Sequence, residues 1–452
     1  MRFLPRRLAV LLVAGLVAAA CSSSSDSNGS APDDDKSTTQ PSSASADVGP
    51  TTGLTDTTIK IAVMVPDFGA LAGSGLVPDL GDPQAQTQAY IDDLNEAGGI
   101  AGRQIEATYH TFDPADFSGA SAREACIAAT EDDKAFVVVG LPSWQSIGSL
   151  CAAGEHRTPV VTQTEITPSL TEQTDGRVFS LAMDLSRQYR GWPIVLDKLG
   201  ELKGKTIGII TGDDGGPGPE AVKEGLEPAL KDLGYDVKEK IVLPCKGITC
   251  EQHDAAVQRF RRAGIDYVFD ALGAVASPTF IGAAASAGYH PEYTFGNVLI
   301  VDTVAKFHES VKDEIDGMIG VGDYAPFNDD QPPEEDDFAR KCNELYATSA
   351  GVERHPVGSD AAGMTGSSCT IMELVKRGAE AVDDLGQDSF LTGLESLGKV
   401  DVAKEDTLCD PEKSGSFGPG KHDLANYLNT MIFDAKLVQF QRPEPCVNYR
   451  IP

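Results

Sequence analysis

The stretch 82–111 constrains the fold of this chain most, because it has the pattern of a complete strand–helix–strand crossover. Before it, residues 58–65 form an apolar, β-branched run that is typical of a strand buried on both faces. Asp82 followed by Pro83 predicts a helix start, since the carboxylate caps free amides and proline loses no hydrogen bond there. The Gly98-Gly99 pair predicts its end, and the next strand follows at 104–111.

Strand-like runs alternate with helical segments over most of the chain. The predicted strands are 59–65, 104–111, 135–140 and 159–162, then 205–210, 237–242, 266–270 and 293–296. The predicted helices between them include 119–130, 219–233, 251–263 and 278–287. This alternation predicts parallel sheets with right-handed crossovers, and its repetition predicts two similarly built α/β lobes.

The sequence of residues 94–106, LNEAGGIAGRQIE, resembles the region leading into the second strand of leucine/isoleucine/valine-binding proteins. Residues 53–63, GLTDTTIKIAV, are similar to the start of that family. The alternative is another doubly wound α/β protein with a tight helix-to-strand turn. The resemblance implies a solute receptor of an ABC importer with the type 1 periplasmic-binding-protein fold, in which two doubly wound Rossmann-like lobes are joined by three crossings. It implies lobe one at 55–184 plus 325–425, and lobe two at 185–324 plus 426–452.

The first 54 residues have the order of an exported, anchored protein. Residues 1–20 predict a signal peptide, because a basic start precedes an apolar run too short to span a bilayer. Its end, Ala18-Ala19-Ala20-Cys21, resembles a bacterial lipobox, with an ordinary cleavable signal as the alternative. Residues 21–54 contain no aromatic side chain and predict a disordered tether. We therefore expect an extracytoplasmic lipoprotein anchored to the cell membrane through Cys21.

Composition and motifs exclude several functions. A net charge of −31 argues against nucleic-acid binding through phosphate contacts. The sequence lacks the GxSxG, HExxH and P-loop motifs, so we expect neither an enzyme nor a cofactor. The acidic run 329–337 lacks the spacing of a calcium loop, and we predict no metal site. An unrecognised hydrolase, and a tethered sensor uncoupled from transport, remain alternatives to a monomeric receptor that delivers its solute to an ABC permease.

Eight cysteines follow Cys21, and an even number in an exported chain favours disulfides. Zinc is disfavoured because no CxxC pair occurs and the histidines are scattered. Two cysteines lie on successive helices around the third strand, a region that the family often bridges. Two others close a local loop, and the last four pair most simply in chain order. The predicted pairs are Cys126–Cys151, Cys245–Cys250, Cys342–Cys369 and Cys409–Cys446.

Ligands of open α/β sheets bind beyond the carboxyl ends of the strands, and two facing lobes bring these ends to one cleft. The predicted ligand-binding residues therefore lie in the loops after strands: Phe68, Ser143, Trp144, Gln145, Thr164, Glu165, Asp213, Gly273 and Asn297. The resemblance implies that the loop at 141–146 grips the ligand's carboxylate. Trp144 is either a stacking surface in the cleft or a tryptophan of the lobe interface or the core.

Three departures from the family leave the solute open. Small residues are typical of the family where Thr164 and Glu165 stand, and an acid there repels a ligand carboxylate. The acid that pairs with the ligand's ammonium is missing near Val298, and an aromatic residue is missing near Gly273. The expected solute is small and polar, and is either an amino acid or a related molecule.

Overall fold

The computed structural model of the protein describes residues 51–69, 80–114, 116, 118–140, 146–213, 215–247, 249–296, 301–323, 337–400, 415–443 and 445–451. In these ranges no helix is both long and apolar enough to cross a membrane.

A parallel sheet of five described strands forms the centre of lobe one, in the order β2-β1-β3-β4-β5. Its strands are β1 Thr58–Pro66, β2 Gln104–Phe112, β3 Val137–Gly140, β4 Val160–Thr162 and β5 Val178–Ser180. The helices between them are α1 Pro83–Glu96, α2 Ala120–Ile127, α3 Ile147–Ser149 and α4 Pro168–Gln173. Two of these helices continue as π-helical turns, at Ala128–Asp132 and Leu150–Glu155.

The first crossover has the predicted form. The Asp82 carboxylate accepts hydrogen bonds from the amides of Gln84 and Ala85, which leaves few free donors at the start of α1. Gly99 has a φ of +81°, and a Cβ there would lie 1.8 Å from the Arg103 carbonyl oxygen. Only glycine fits this turn, so the chain reverses tightly and β2 pairs in parallel with β1.

Lobe two contains a larger, mixed sheet in the order β15-β14-β11-β10-β9-β6-β7-β8. Its parallel strands are β6 Ile207–Asp213, β7 Val237–Lys246, β9 Tyr267–Ala271, β10 Glu292–Gly296 and β11 Ile319–Gly322. Antiparallel strands extend it: β8 Thr249–Cys250 pairs with β7, β14 Tyr427–Asp434 with β11, and β15 Gln439–Gln441 and β16 Tyr449–Arg450 with β14.

Helices α5 to α10 belong to lobe two, and their bounds are α5 Leu185–Leu199, α6 Gly218–Ala221, α7 Glu227–Asp232, α8 His253–Ala263, α9 Gly273–Ser286 and α10 Val301–Phe307. A π-helical turn, Val222–Leu226, joins α6 to α7, and a 3₁₀ turn, Glu309–Glu314, follows α10. Trp192 fixes α5 on the sheet, where its buried indole N–H donates to Thr294 Oγ1 at 2.9 Å. The predicted start of α9 at Pro278 is wrong by five residues, because the helix accommodates that proline internally at the cost of one backbone hydrogen bond.

The chain then returns to lobe one before it ends in lobe two. Helices α11 Asp337–Ala350, α12 Asp360–Glu380 and α13 Gln387–Ser396 follow the second crossing, with the short pair β12 Lys399–Val400 and β13 Gly415–Ser416. Leu374 and Phe390 from these helices share one buried cluster with Val63 and Val139 of the first sheet. Three crossings between two α/β lobes confirm the predicted fold class, whereas the exact lobe limits stay a prediction.

Six of the predicted disulfide cysteines lie in the described residues. They are at disulfide distance in the predicted pairs, Cys126 with Cys151, Cys245 with Cys250, and Cys342 with Cys369. Cys409 lies outside the described residues, so its pairing with Cys446 stays a prediction, as do the lipidation of Cys21, the signal peptide at 1–20 and the tether at 21–54.

Candidate ligand-binding site

The predicted site residues that the structure describes all lie at carboxyl ends of parallel strands. Phe68 follows β1, Thr164 and Glu165 follow β4, Asp213 ends β6, and Gly273 opens the helix after β9. Ser143, Trp144, Gln145 and Asn297 lie outside the described residues. The structure therefore places the first group at the edges where parallel sheets bind ligands.

The loop after β4 is held rigidly at Thr164. Its amide donates to Thr162 Oγ1 at 3.1 Å, the two hydroxyls lie 3.0 Å apart, and its carbonyl accepts from Ser180 Oγ at 2.6 Å. Thr162 and Ser180 are buried. These bonds fix the backbone that carries Glu165, so a contact made there would need little reordering.

Phe68 lines a cavity of about 320 Å³ between the end of β1 and the start of α1. Asp82 and Thr111 share this cavity, and Asp82 is already engaged as the helix cap. The aromatic ring and the polar rim are the mixture of surfaces that small-molecule sites use.

In lobe two, a cavity of about 100 Å³ lies at the carboxyl ends of β9 and β10, beside Gly273. Asp270, Ser277 and His308 form one buried cluster in its wall, with Asp270 Oδ2 2.6 Å from Ser277 Oγ and Ser277 Oγ 3.1 Å from His308 Nε2. Burial raises the pKa of Asp270 to about 6 and lowers that of His308 to about 4.

This cluster does not have the arrangement of a hydrolytic triad. In a triad the histidine lies between the serine and the acid, and it removes the serine's proton. Here Ser277 lies between Asp270 and His308, and its side chain is almost fully buried. The hydroxyl is therefore a link in a structural chain of hydrogen bonds.

The crossings between the lobes are tied together by buried acids. Asp423, in the third crossing, accepts from the Asp184 amide at 2.9 Å and pairs with Arg187 at the start of α5. Asp323, at the start of the second crossing, accepts from the Met183 amide at 2.8 Å. Two carboxylates thus hold the backbone of the first crossing.

Charge accumulates around these crossings. Burial raises the pKa of Asp323 to about 6, and the charge of Glu165 adds to the rise. Burial likewise raises the pKa of Asp184 to about 6, with a further contribution from Asp423. Glu165 therefore lies close enough to the crossings to influence their electrostatics, in addition to its position at the edge of the sheet.

A second link joins the lobes away from the crossings. Ser169, in the first turn of α4 in lobe one, donates its amide to Glu220 Oε1 at 3.0 Å and its hydroxyl to Glu220 Oε2 at 2.5 Å. Glu220 lies on α6 in lobe two. Both donors act on one carboxylate, so this contact stabilises the observed arrangement of the lobes.

One group of potential metal ligands occurs in the described part of the chain, namely Cys151, Glu155 and His156. Cys151 lies at disulfide distance from Cys126, and Glu155 binds Arg123 through two hydrogen bonds of 2.7 and 2.6 Å. The sulfur and the carboxylate already have partners, so these residues do not form a metal site.

Sequence reasoning missed both the lobe-two cluster and the acids at the crossings. Asp270 and Ser277 lie within four residues of the predicted site residue Gly273, but His308 lies 31 residues beyond Ser277 and only tertiary packing brings it near. Asp323 and Asp423 fall within two residues of predicted crossings. The sequence signal that could have found them is an aspartate beside both the second and the third predicted crossing.

Two α/β lobes joined by three crossings, with polar loops at the strand ends, define a solute-binding architecture. The periplasmic binding protein family profile matches residues 58–438, and the chain belongs to this family. Such proteins bind solutes outside the cytoplasm and are not enzymes. Comparison with curated protein sequences finds no match.

Solved structures with the same fold share few residues with this chain. The substrate-binding protein LivJ of a Streptococcus pneumoniae branched-chain amino acid transporter, solved with isoleucine, is 14% identical, with a TM-score of 0.58 over 87% of this chain and 99% of its own. A branched-chain amino acid ABC transporter protein from Thermus thermophilus, solved with valine, is 14% identical, with a TM-score of 0.61 over 88% of this chain and 97% of its own. A solute-binding protein of an ABC transporter from R. palustris, solved with 4-hydroxybenzoate, is 16% identical, with a TM-score of 0.59 over 87% of this chain and 96% of its own.

We expect Asp323→Asn to stabilise the protein at neutral pH. The folded-state pKa of Asp323 is raised from 3.8 to about 6, so its contribution to stability is full below 3.8 and is lost as pH rises through about 6. A shift of about two units corresponds to about 3 kcal/mol at most. Urea unfolding should show the variant more stable at pH 7.5, with a much smaller advantage at pH 4.5.

The matched control for this prediction is Asp266→Asn, since Asp266 is an exposed acid that also accepts one backbone amide. The free energy of unfolding of Asp266→Asn should differ little from that of the unmodified protein at either pH. Destabilisation of Asp323→Asn at pH 7.5 would show that the charged carboxylate is needed at the crossing.

We expect Ser169 and Glu220 to be energetically coupled across the lobes. A double-mutant cycle with Ser169→Ala and Glu220→Ala should give a coupling free energy of about 1.5–3 kcal/mol, the range for hydrogen bonds to a charged group. Small-angle scattering of ligand-free Glu220→Ala should show a larger radius of gyration. Glu224→Ala, an exposed acid one turn away, is the control; equal radii in all three proteins would refute an interlobe role.

Proposed function

We propose that this protein is a lipid-anchored extracytoplasmic receptor that captures a small polar solute between its lobes and delivers it to an ABC permease. The observation that carries this proposal is the position of Phe68, Thr164 and Glu165 in lobe one and of Asp213 and Gly273 in lobe two. All five lie at strand carboxyl ends of their own lobe. A solute that contacts both lobes binds the closed arrangement better than the open one, and so drives closure.

The solutes of the structural neighbours support an organic acid as the ligand. Isoleucine, valine and 4-hydroxybenzoate each combine a carboxylate with a compact apolar part. We propose a solute of this size, an amino acid or a related small molecule, for this chain. Lobe one would hold the carboxylate through Ser143, Gln145 and Thr164, with Trp144 stacked on the solute. Asn297 would contact it from lobe two.

The anchor and the domain limits complete the proposal. Cys21 would carry the lipid, and residues 21–54 would give the receptor reach above the membrane. Lobe one would comprise 55–184 plus 325–425, and lobe two 185–324 plus 426–452. The receptor would act as a monomer, because one chain supplies both faces of the cleft.

A thermal-shift screen of amino acids and aromatic acids tests the solute. A ligand that binds only the folded protein raises its melting temperature by mass action. We expect Glu165→Ala to improve the affinity for leucine by about tenfold, which is about 1.4 kcal/mol, since a carboxylate near the ligand carboxylate is removed. The control is Glu172→Ala, an exposed acid on α4. Tight leucine binding by the unmodified protein would contradict this role of Glu165, and turnover of any bound solute would refute the receptor.

Replacement of the proposed lipidated cysteine tests the anchor. Cys21→Ala should move the protein from the membrane fraction to the soluble fraction of its host cells, because the acyl chains supply the membrane affinity. Ser22→Ala should leave the distribution unchanged. Continued membrane association of Cys21→Ala would refute lipid anchoring through this residue.

A further inference from the structure

The cavity of lobe two is backed by a continuous chain of hydrogen bonds. Asp270 Oδ1 accepts from the Leu272 amide at 3.0 Å, and its Oδ2 lies 2.6 Å from Ser277 Oγ. Ser277 Oγ lies 3.1 Å from His308 Nε2, and His308 Nδ1 lies 2.7 Å from the Val304 carbonyl oxygen. Each contact is short enough to require one hydrogen between its two atoms.

Counting these hydrogens shows that the hydrogen-bond chain needs one proton more than the side chains of Asp270, Ser277 and His308 carry together at neutral pH in water. The Val304 carbonyl only accepts, so His308 Nδ1 carries a hydrogen. With Asp270 ionised and His308 neutral, the single hydroxyl hydrogen of Ser277 would have to serve both Asp270 Oδ2 and His308 Nε2. One contact would then bring two acceptors together in a buried site. One additional proton satisfies every contact.

Burial decides where this proton resides. Asp270 is 3% exposed and His308 is 1% exposed, and desolvation is the largest influence on the pKa of each. The other titratable groups at this place are Tyr189, in the cavity wall, and Tyr293, whose pKa is raised by burial and also by Asp270. Of the described residues, no cation contributes to the pKa of Asp270 or His308. Desolvation therefore favours the neutral form of both groups: His308 is neutral above about pH 4, and Asp270 holds the additional proton below about pH 6.

In this arrangement, which is favoured below about pH 6, the whole wall is uncharged. Protonated Asp270 donates to Ser277, Ser277 donates to His308, and His308 donates to Val304. The Phe295 ring packs on His308, with 4.8 Å between ring centroids. The cavity also adjoins Gly273, the first residue of the 14-residue helix α9, whose amino end carries positive potential.

We propose that this cavity receives the uncharged end of a small carboxylic acid, a hydroxyl group or an aromatic ring, and that it excludes an ammonium group. This rests on the proposed solute-binding function and names the part of the solute that lobe two accepts. A buried cation there would lose its hydration without gaining a counter-charge, and would face the positive end of α9. Tyr189 and Phe295 supply the apolar contact that a ring or an alkyl group needs.

Binding of two matched benzoates tests the ligand assignment. The probes are 4-(hydroxymethyl)benzoate and 4-(aminomethyl)benzoate, which have nearly the same size and differ by one positive charge opposite the carboxylate. Calorimetry at pH 5.5, where Asp270 is mainly protonated, should show the hydroxyl compound binding about tenfold or more tightly. Equal or tighter binding of the ammonium compound would overturn the assignment while leaving a solute receptor. Binding of neither, nor of any acid in the thermal-shift screen, would overturn the proposed function too.

A ligand-free measurement tests the proton arrangement separately. Nitrogen-15 NMR should show His308 as the neutral Nδ1–H tautomer between pH 6 and 8, with its signals identified by their loss in His308→Gln. Asp270→Asn should change the melting temperature by less than about 3 °C, since the amide can donate to Ser277 as the protonated acid does. A cationic His308, or a loss of more than about 8 °C in Asp270→Asn with Asp266→Asn unaffected, would overturn the neutral chain.

Discussion

The hydrogen bonds that Asp323 and Asp423 accept from the amides of Met183 and Asp184 are the constraint on which the two-lobe arrangement depends. They join three segments that are far apart in sequence at the place where the chain passes between lobes. Asp423 is 3% exposed, and the neighbouring Arg187 offsets part of its desolvation. Without these acceptors, the buried amide of Met183 and the partly buried amide of Asp184 would lose their partners.

Polar bonds suit a crossing better than apolar packing does. The lobes have separate apolar clusters, such as the one that joins Val63 to Leu374 in lobe one and the one around Trp192 in lobe two. Domain closure changes backbone angles in a few linking residues and leaves packed cores intact. Hydrogen bonds at those residues can persist or exchange during such a motion, whereas separating an apolar interface would expose its whole area. The Ser169–Glu220 contact adds a small, reversible interlobe bond of the same kind.

The sequence was sufficient to predict local elements and insufficient for contacts made by distant segments. Asp82 at the start of α1 and the glycines after it have fixed conformational roles, so their positions predict the crossover. The start of α9 was predicted wrongly at Pro278 because proline is favoured in the first turn of a helix, whereas here it lies inside the helix. His308 shows the limit: its partner Ser277 is on another helix, and no spacing rule connects them. The loops with Ser143 and Asn297 were selected by strand order alone, which fixes an edge of the sheet but no side-chain direction.

An acidic receptor can bind an acidic solute because recognition is local. The net charge of −31 is spread over the surface, and salt screens it within about 8 Å at physiological ionic strength. Inside a cleft the nearest groups decide, and in lobe two these are the Asp270–Ser277–His308 chain and the amino end of α9 beside Gly273, whereas the acids Glu165 and Asp213 lie at other strand ends. Protonation of Asp270 would remove the acid that lies closest to that helix. The same cavity would then tolerate a neutral hydroxyl or ring, while the surface charge keeps the receptor soluble. Selectivity between solutes would thus depend on one buried proton rather than on the charge of the protein as a whole.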